Sequence, residues 1–361
     1  MIDNTVKILV NNQVLTGWQD VRVTRGIERL PSDFNVTMAD VVPAEMQAIM
    51  VRPGDSLQLY IGDDLVITGY VDKYMPGYSA RQHLIRLCGR SRCADLVDCS
   101  AEWPGGQISG ANAQVIAQKL ASVYGKPGEG INVTTSIPDL PFIPQFNLFL
   151  GESAFEIIER ISRYSAALVY DLPDGGLHLS RVGTAIAAGG VSEGANVQSA
   201  WLDASCDGVY SEYVAMLQSM EVLSDLGDGG NVYYTATDPN LNRHRRLYMI
   251  AETGIGGLDT LKQRAEWEAA RRYGRSLVVR VEVDTWRDAD GKLWEPNTLV
   301  PVHLPGLKLP SVNLLLGEVT YTLDDERGHI AELTLMPPNA FLPQPVQLQY
   351  VPAEFNDAST Y

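Results

Sequence analysis

The sequence predicts a mostly β chain with α+β insertions, in which two similar β-barrel domains flank a small α/β domain. Three observations carry this expectation: apolar residues alternate with period two at both ends of the chain, the period turns helical between about residues 99 and 190, and the last β region echoes the first. A chain of 361 residues has room for two or three domains.

Residues 1–98 read as the first β domain. Lys7–Val10, an Asn11-Asn12-Gln13 turn and Val14-Leu15 make one hairpin. Leu57–Ile61, a Gly62-Asp63-Asp64 turn and Leu65–Val71 make another, since Gly and Asp tolerate the positive φ of tight hairpins. A polar link interrupts the domain, with a helical turn over Pro43–Met50.

Residues 99–190 read as the small α/β domain. Ile116, Leu120, Val123 and Tyr124 fall at helical spacing, with Gly125 at the C-terminal cap. Ser153 and Glu156 form a capping-box pair at the head of a second helix carrying Phe155, Ile158 and Ile161. Ala167–Tyr170, a turn over Pro173–Gly176 and Leu177–Leu179 follow as a hairpin.

Residues 191–220 and 276–340 form the second β domain. In its most regular strand, Leu277, Val279, Val281 and Val283 share one side. Residues 221–275 are an insertion with a loop at Asp225–Gly230, a basic run from Arg243 to Arg246, and a helix that aligns Leu261, Ala265, Ala269 and Tyr273. Residues 341–361 are an extended tail, and the stretch from Pro337 to Tyr361, whose apolar residues, including Phe341 and Tyr350, have no local partners, is expected to lie against another chain.

The echo follows order and punctuation more than identity. Thr298–Leu304 matches Ser56–Ile61, and Gly317–Tyr321 matches Gly69–Lys73; each copy ends in a polar turn and a closing strand. Duplication explains this order, and a trimer would then present six similar barrels around one axis.

Composition excludes several function classes. Lys and Arg total 28 against 44 Asp and Glu, a net charge of −16, which opposes a grip on nucleic acid because such binding needs cations to displace counterions. No apolar run approaches the roughly 20 residues of a membrane span, and the start lacks a signal-peptide pattern, so folding in a cytosol is expected. Cys88, Cys93, Cys99 and Cys206 suit neither a disulfide framework nor zinc-ligand spacing. Nucleotide, zinc-protease and serine-hydrolase motifs are missing, and Asp225, Asp228 and Asn231 lack the ligand order of a calcium loop. No cofactor or metal is expected. Arg243, Arg245 and Arg246 read as ion-pairing with acidic neighbours across a domain or subunit contact.

Trp18–Phe34, Pro53–Asp55, Gly69–Asp72, Gly89–Ser91 and Asp95–Ser100 together resemble the N-terminal barrel of the Mu-like baseplate hub proteins of contractile phage tails and their late-control relatives. Arg264–Arg272 and Trp286–Asn297 resemble further signatures of that group. The resemblance covers nearly the whole chain. It implies a structural, non-enzymatic homotrimer with two tail-tube-like barrels per subunit, placed between the tail tube and the trimeric membrane-piercing spike. It further implies other baseplate proteins as partners, DNA only in transit through a channel, no stable membrane insertion, and a virion location after assembly in the bacterial cytoplasm. No catalytic residues come with it. Asp290-Gly291 reads as a hairpin turn, with Trp286 and Trp294 packing across it or against a neighbouring subunit. A second reading, a peptidoglycan-cleaving tail hydrolase, rests on the paired carboxylates Asp63-Asp64 and Asp324-Asp325-Glu326, which turn chemistry also explains.

Overall fold

The computed structural model describes residues 3–39, 51–79, 83–103, 105–125, 128–149, 151–217, 233–251 and 257–343. The expected helical turn over Pro43–Met50, the Asp225–Gly230 loop and Tyr350 lie outside the described residues. The fold is mixed α/β. A large, mostly antiparallel sheet, three smaller sheets and four α-helices make it up among the described residues.

The first β region supplies β1 (Val6–Val10), β2 (Gln13–Leu15), β3 (Asp20–Gly26), β4 (Asp33–Ala39), β5 (Ser56–Ile61), β6 (Asp64–Tyr78) and β7 (His83–Ser91). Their alternation works as the sequence predicts: Leu57, Leu59 and Ile61 of β5 point into the core while Ser56, Gln58 and Tyr60 do not.

Next come α1 (Ala94–Asp98), β8 (Gln107–Asn112), α2 (Ala113–Ala121), β9 (Val133–Thr135), β10 (Phe142–Asn147), α3 (Ala154–Tyr164), β11 (Leu168–Asp171) and β12 (Leu177–Ser180). They enclose a core of their own, built on Ile116, Leu120, Ile157, Ile158, Ile161, Leu177 and Leu179. The capping box at α3 is complete: Ser153 Oγ accepts from the Glu156 N–H, and the Glu156 carboxylate accepts from the Ser153 N–H at 2.8 Å. Helix α2 stops at Ala121, short of the expected Gly125 cap, and leaves Val123 exposed.

The remainder contains β13 (Val191–Ser192), β14 (Val197–Ala204), β15 (Glu212–Leu217), β16 (Tyr233–Thr237), β17 (Arg246–Ala251), α4 (Gly257–Arg275), β18 (Leu277–Val283), β19 (Leu299–His303), β20 (Val312–Asp324) and β21 (Gly328–Met336). Strand β15, expected in the second barrel, instead pairs with β16 and β17 in a separate three-stranded sheet. The reason is packing: Ala215 of β15 is buried against Leu261 and Ala265 of α4, so the strand follows the helix. Tyr273, expected on the same helix face, is exposed instead.

The two β regions, expected as two similar barrels, share one sheet of 13 strands among the described residues, over one continuous core. Strand β20 pairs antiparallel with β3 from Glu318–Gly26 to Leu323–Val21. An open edge exposes a row of unpaired N–H and C=O groups, and each of these two strands satisfies the other's. Ile8, Val23, Leu59 and Leu87 of the first region thus share a core with Val281, Val319 and Leu333 of the last.

Arg287 ties the same junction from a second side. Its side chain is 7% exposed, donating to Asp64 at 2.6 Å, to Asn4 at 2.9 Å, and to the carbonyls of Ile61, Asp3 and Gly291. Replacing Arg287 with Ala strands these acceptors, so the expected loss is roughly 2–4 kcal/mol, read as a lower denaturation midpoint. Arg287→Lys should recover little, because an ammonium lacks the planar fork.

Candidate functional site

The sequence nominates assembly surfaces rather than a catalytic cleft, and the structure sorts those nominees. Trp286 and Trp294 are fully buried in the chain's own core. Each indole N–H is used internally: Trp286 donates to the carbonyls of Ile330 at 3.0 Å and Thr322 at 3.1 Å, and Trp294 donates to that of Thr285 at 3.0 Å. His329 stacks edge-on to Trp286 at 4.6 Å, and burial lowers its pKa. Both tryptophans therefore belong to the chain's own core.

Phe341 is also buried, in a small cluster with Ile27, Leu168, Leu315 and Ala340. It lies at the end of a short 3₁₀ helix, Pro338–Phe341, packed against α4. A side chain on Gly317 would meet the Phe341 ring at 2.5 Å, so glycine there admits the aromatic. The carbonyl of Leu342 accepts from Trp267 and Arg271, both at 2.8 Å. This anchor holds the last of the described residues against α4. Residues beyond 343, with Tyr350, lie outside the described residues.

The basic run is paired within its own chain. Arg246 binds Glu212 across the β15–β17 pair and reaches over the Tyr248 ring. Arg245 donates to the carbonyls of Cys206 at 2.8 Å and Asp207 at 2.7 Å and covers Tyr210. Arg243 lies 3.6 Å from the Cys206 sulfur. These contacts tie the insertion to the loop after β14.

The acidic turns are also occupied. Asp64 holds Arg287, and Asp324 accepts from the backbone N–H groups of Glu326 and Arg327, which lowers its pKa. Asp95 is raised, chiefly by desolvation, and its acidic neighbours Asp72 and Asp98 are both bound to Arg90 at 2.7 Å. Among the described residues no group of His, Cys, Asp or Glu is placed to hold a metal ion. No helix there is long and apolar enough to cross a membrane.

Exposed surface that the sequence reading passed over remains. Trp201 of edge strand β14 is 55% exposed, and Tyr78 at the end of β6 is 85% exposed. Tyr248 and Ile250 of β17 and Tyr233 of β16 line the face of the small sheet opposite α4. The signal was an apolar residue at an outward position of an alternating strand, which needs the register to be recognised.

A fold of this kind, one large sheet with a helical module inserted, is that of phage tail proteins. The 43 kDa tail protein of prophage MuSo2 from Shewanella oneidensis superposes with a TM-score of 0.81 at 25% identity, covering 94% of this chain and 99% of that one. A tail protein from Neisseria meningitidis MC58 shares the fold at a TM-score of 0.75 and 19% identity, over 95% and 99% of the two chains. Three family models match in succession: Mu phage baseplate assembly protein GpP-like, N-terminal, at residues 5–91, baseplate hub protein gp44-like, second domain, at 93–181, and GpP, fourth domain, at 259–344. The baseplate hub protein gp44 of Escherichia phage Mu is 29% identical over 356 residues, 94% of this chain and 90% of that protein. The chain belongs to the Mu-like baseplate hub protein family.

Trp286→Ala and Trp294→Ala should each cost roughly 3–5 kcal/mol, the range for emptying a buried aromatic site. Arg246→Ala, at an exposed pair, should cost less than about 1 kcal/mol. Guanidinium denaturation of the three variants checks this order.

Proposed function

We propose that the chain is the structural hub of a contractile phage-tail baseplate, a homotrimeric ring joining the sixfold tail tube to the trimeric spike. One observation carries the reading. The two β regions repeat the same strand order and are welded side by side through β3 and β20. A subunit with two like repeats suits a threefold ring that must meet a sixfold tube, because three chains then offer six similar surfaces. Each β region acts as one tube-like repeat, and the module between residues 93 and 181 stands apart on its own core.

Catalysis has no part in this role. A glycoside hydrolase needs an acid with a raised pKa facing an ionised partner across a cleft. The paired carboxylates are instead spent on turns and on Arg287. DNA would pass through the ring without being held, past a wall that is neutral to acidic. Three chains bring 3 × (−16) = −48 formal charges, and each Lys or Arg facing a phosphate would add salt-dependent affinity that slows passage.

Light scattering at micromolar concentration should give the mass of three chains; a stable monomer under the same conditions and with the spike present contradicts the reading. Duplex DNA should show no binding at moderate salt, and a cell-wall zymogram should show no clearing. Micromolar duplex affinity would reverse the proposed character of the wall, and clearing would favour the hydrolase.

A further inference from the structure

The two β regions correspond strand by strand, and the correspondence leaves one seam unfilled. Each long strand carries a bulge, at Asp72 in β6 and at Gly317 in β20, where the register against the next strand shifts. With the bulges superposed, Tyr70 faces Ser56 as Leu315 faces Leu299, and Lys73 faces Cys88 as Glu318 faces Thr334. This alignment moves the sequence match of Gly317 with Gly69 by three residues. Carried across the sheet, it makes β18 the counterpart of β4 and β14 the counterpart of β3, so that Leu202 stands where Val23 does.

The counterparts differ in burial. In β20 the half from Glu318 to Leu323 pairs with β3, and Val319, Thr320 and Tyr321 are buried there. The matching half of β6, Lys73 to Tyr78, pairs with β7 alone, and Met75 and Tyr78 are exposed. Strand β14 is an edge of the sheet and pairs with β18 alone, whereas its counterpart β3 is internal. Both halves of a contact that the chain makes once with itself therefore lie open among the described residues.

We propose that β6 of one copy pairs antiparallel with β14 of a second copy of this chain, in the register of β20 on β3. Tyr74 then lies opposite Ala204, Met75 opposite Asp203, Gly77 opposite Trp201 and Tyr78 opposite Ala200. An exposed strand edge is a template for another strand, and this pairing satisfies both edges at once. Large side chains meet small ones across it: Tyr78 has Ala200 as its neighbour, and the Trp201 ring covers the bare backbone of Gly77. Pro76 withholds one N–H, so the ladder is carried by the residues around it. With one seam inside each chain and one between chains, every repeat meets its neighbours alike around a ring, and neither strand of the seam is left as an open edge. The proposal rests on the trimeric reading above and specifies its contact.

The test is a disulfide trap. In a chain carrying Cys99→Ser and Cys206→Ser, which removes the exposed native thiols, Met75→Cys and Asp203→Cys are introduced together. Directly opposed residues of an antiparallel pair lie within disulfide reach. Mild oxidation should convert the monomer band on a non-reducing gel into linked trimer. Met75→Cys with Trp201→Cys, two residues out of register, should leave the monomer band. Light scattering of the same proteins under reducing conditions separates the two readings. A trimer mass without a Met75–Asp203 link overturns the seam and leaves the trimer standing. A monomer mass overturns both, and equal linking of the shifted pair overturns the register.

Discussion

The pairing of β20 with β3 is the contact on which the rest of the structure depends. It joins strands almost three hundred residues apart in sequence, so its entropic cost of closure is high, and that cost has to be offset by dense local contacts. They are present: the ladder of backbone pairs, a buried hydroxyl contact between Thr24 and Thr320 at 3.1 Å, and a continuous apolar core beneath. Arg287 closes the same junction from the chain's start, with all its donors spent on residues 3, 4, 61, 64 and 291. Once these are formed, the two β regions can only move together.

The helical module hangs from this frame by polar contacts at defined points. Asp171 accepts from both the N–H and the hydroxyl of Ser32, each at 2.8 Å and buried. Asn297 accepts from the Gly183 N–H at 2.7 Å and donates to the Arg181 carbonyl and the Ser180 hydroxyl. The buried Asp171–Ser32 pair fixes orientation more than it adds stability, since misalignment leaves a desolvated group unpaired. A small apolar cluster completes the joint: Ile27 from the first region, Leu168 from the module, and Leu315 and Phe341 from the last. In the proposed ring this rigidity would matter, because the two strands proposed to meet across subunits, β14 and β6, are far apart in the sheet.

Much of the local structure was legible in the residues. The capping box at Ser153, the alternation of Val279, Val281 and Val283, and the hairpin around Gly62 all took their expected form. The candidate surface was less legible. Trp286 and Trp294 could by sequence pack across their turn or against a neighbour, and Phe341 against another chain; all three are buried within this chain. Arg287 drew no notice, since nothing in its neighbourhood of sequence distinguishes it from a solvated cation, and its partners Asp64 and Ile61 are more than two hundred residues away.

The sequence by itself determined the class of each element and the family of the chain, because period, turn chemistry and caps act over a few residues and leave a readable pattern. It also carried the echo between the two β regions, though offset by three residues at Gly317, since the bulges that set the true alignment are features of pairing. Only the tertiary structure decided which edges meet. It merged two expected barrels into one sheet, moved β15 onto the side of α4, and left β14 and the far half of β6 uncovered. Strand edges present the same backbone groups whatever their side chains, so which of them pair is settled by long-range packing and is not written in any local stretch of residues.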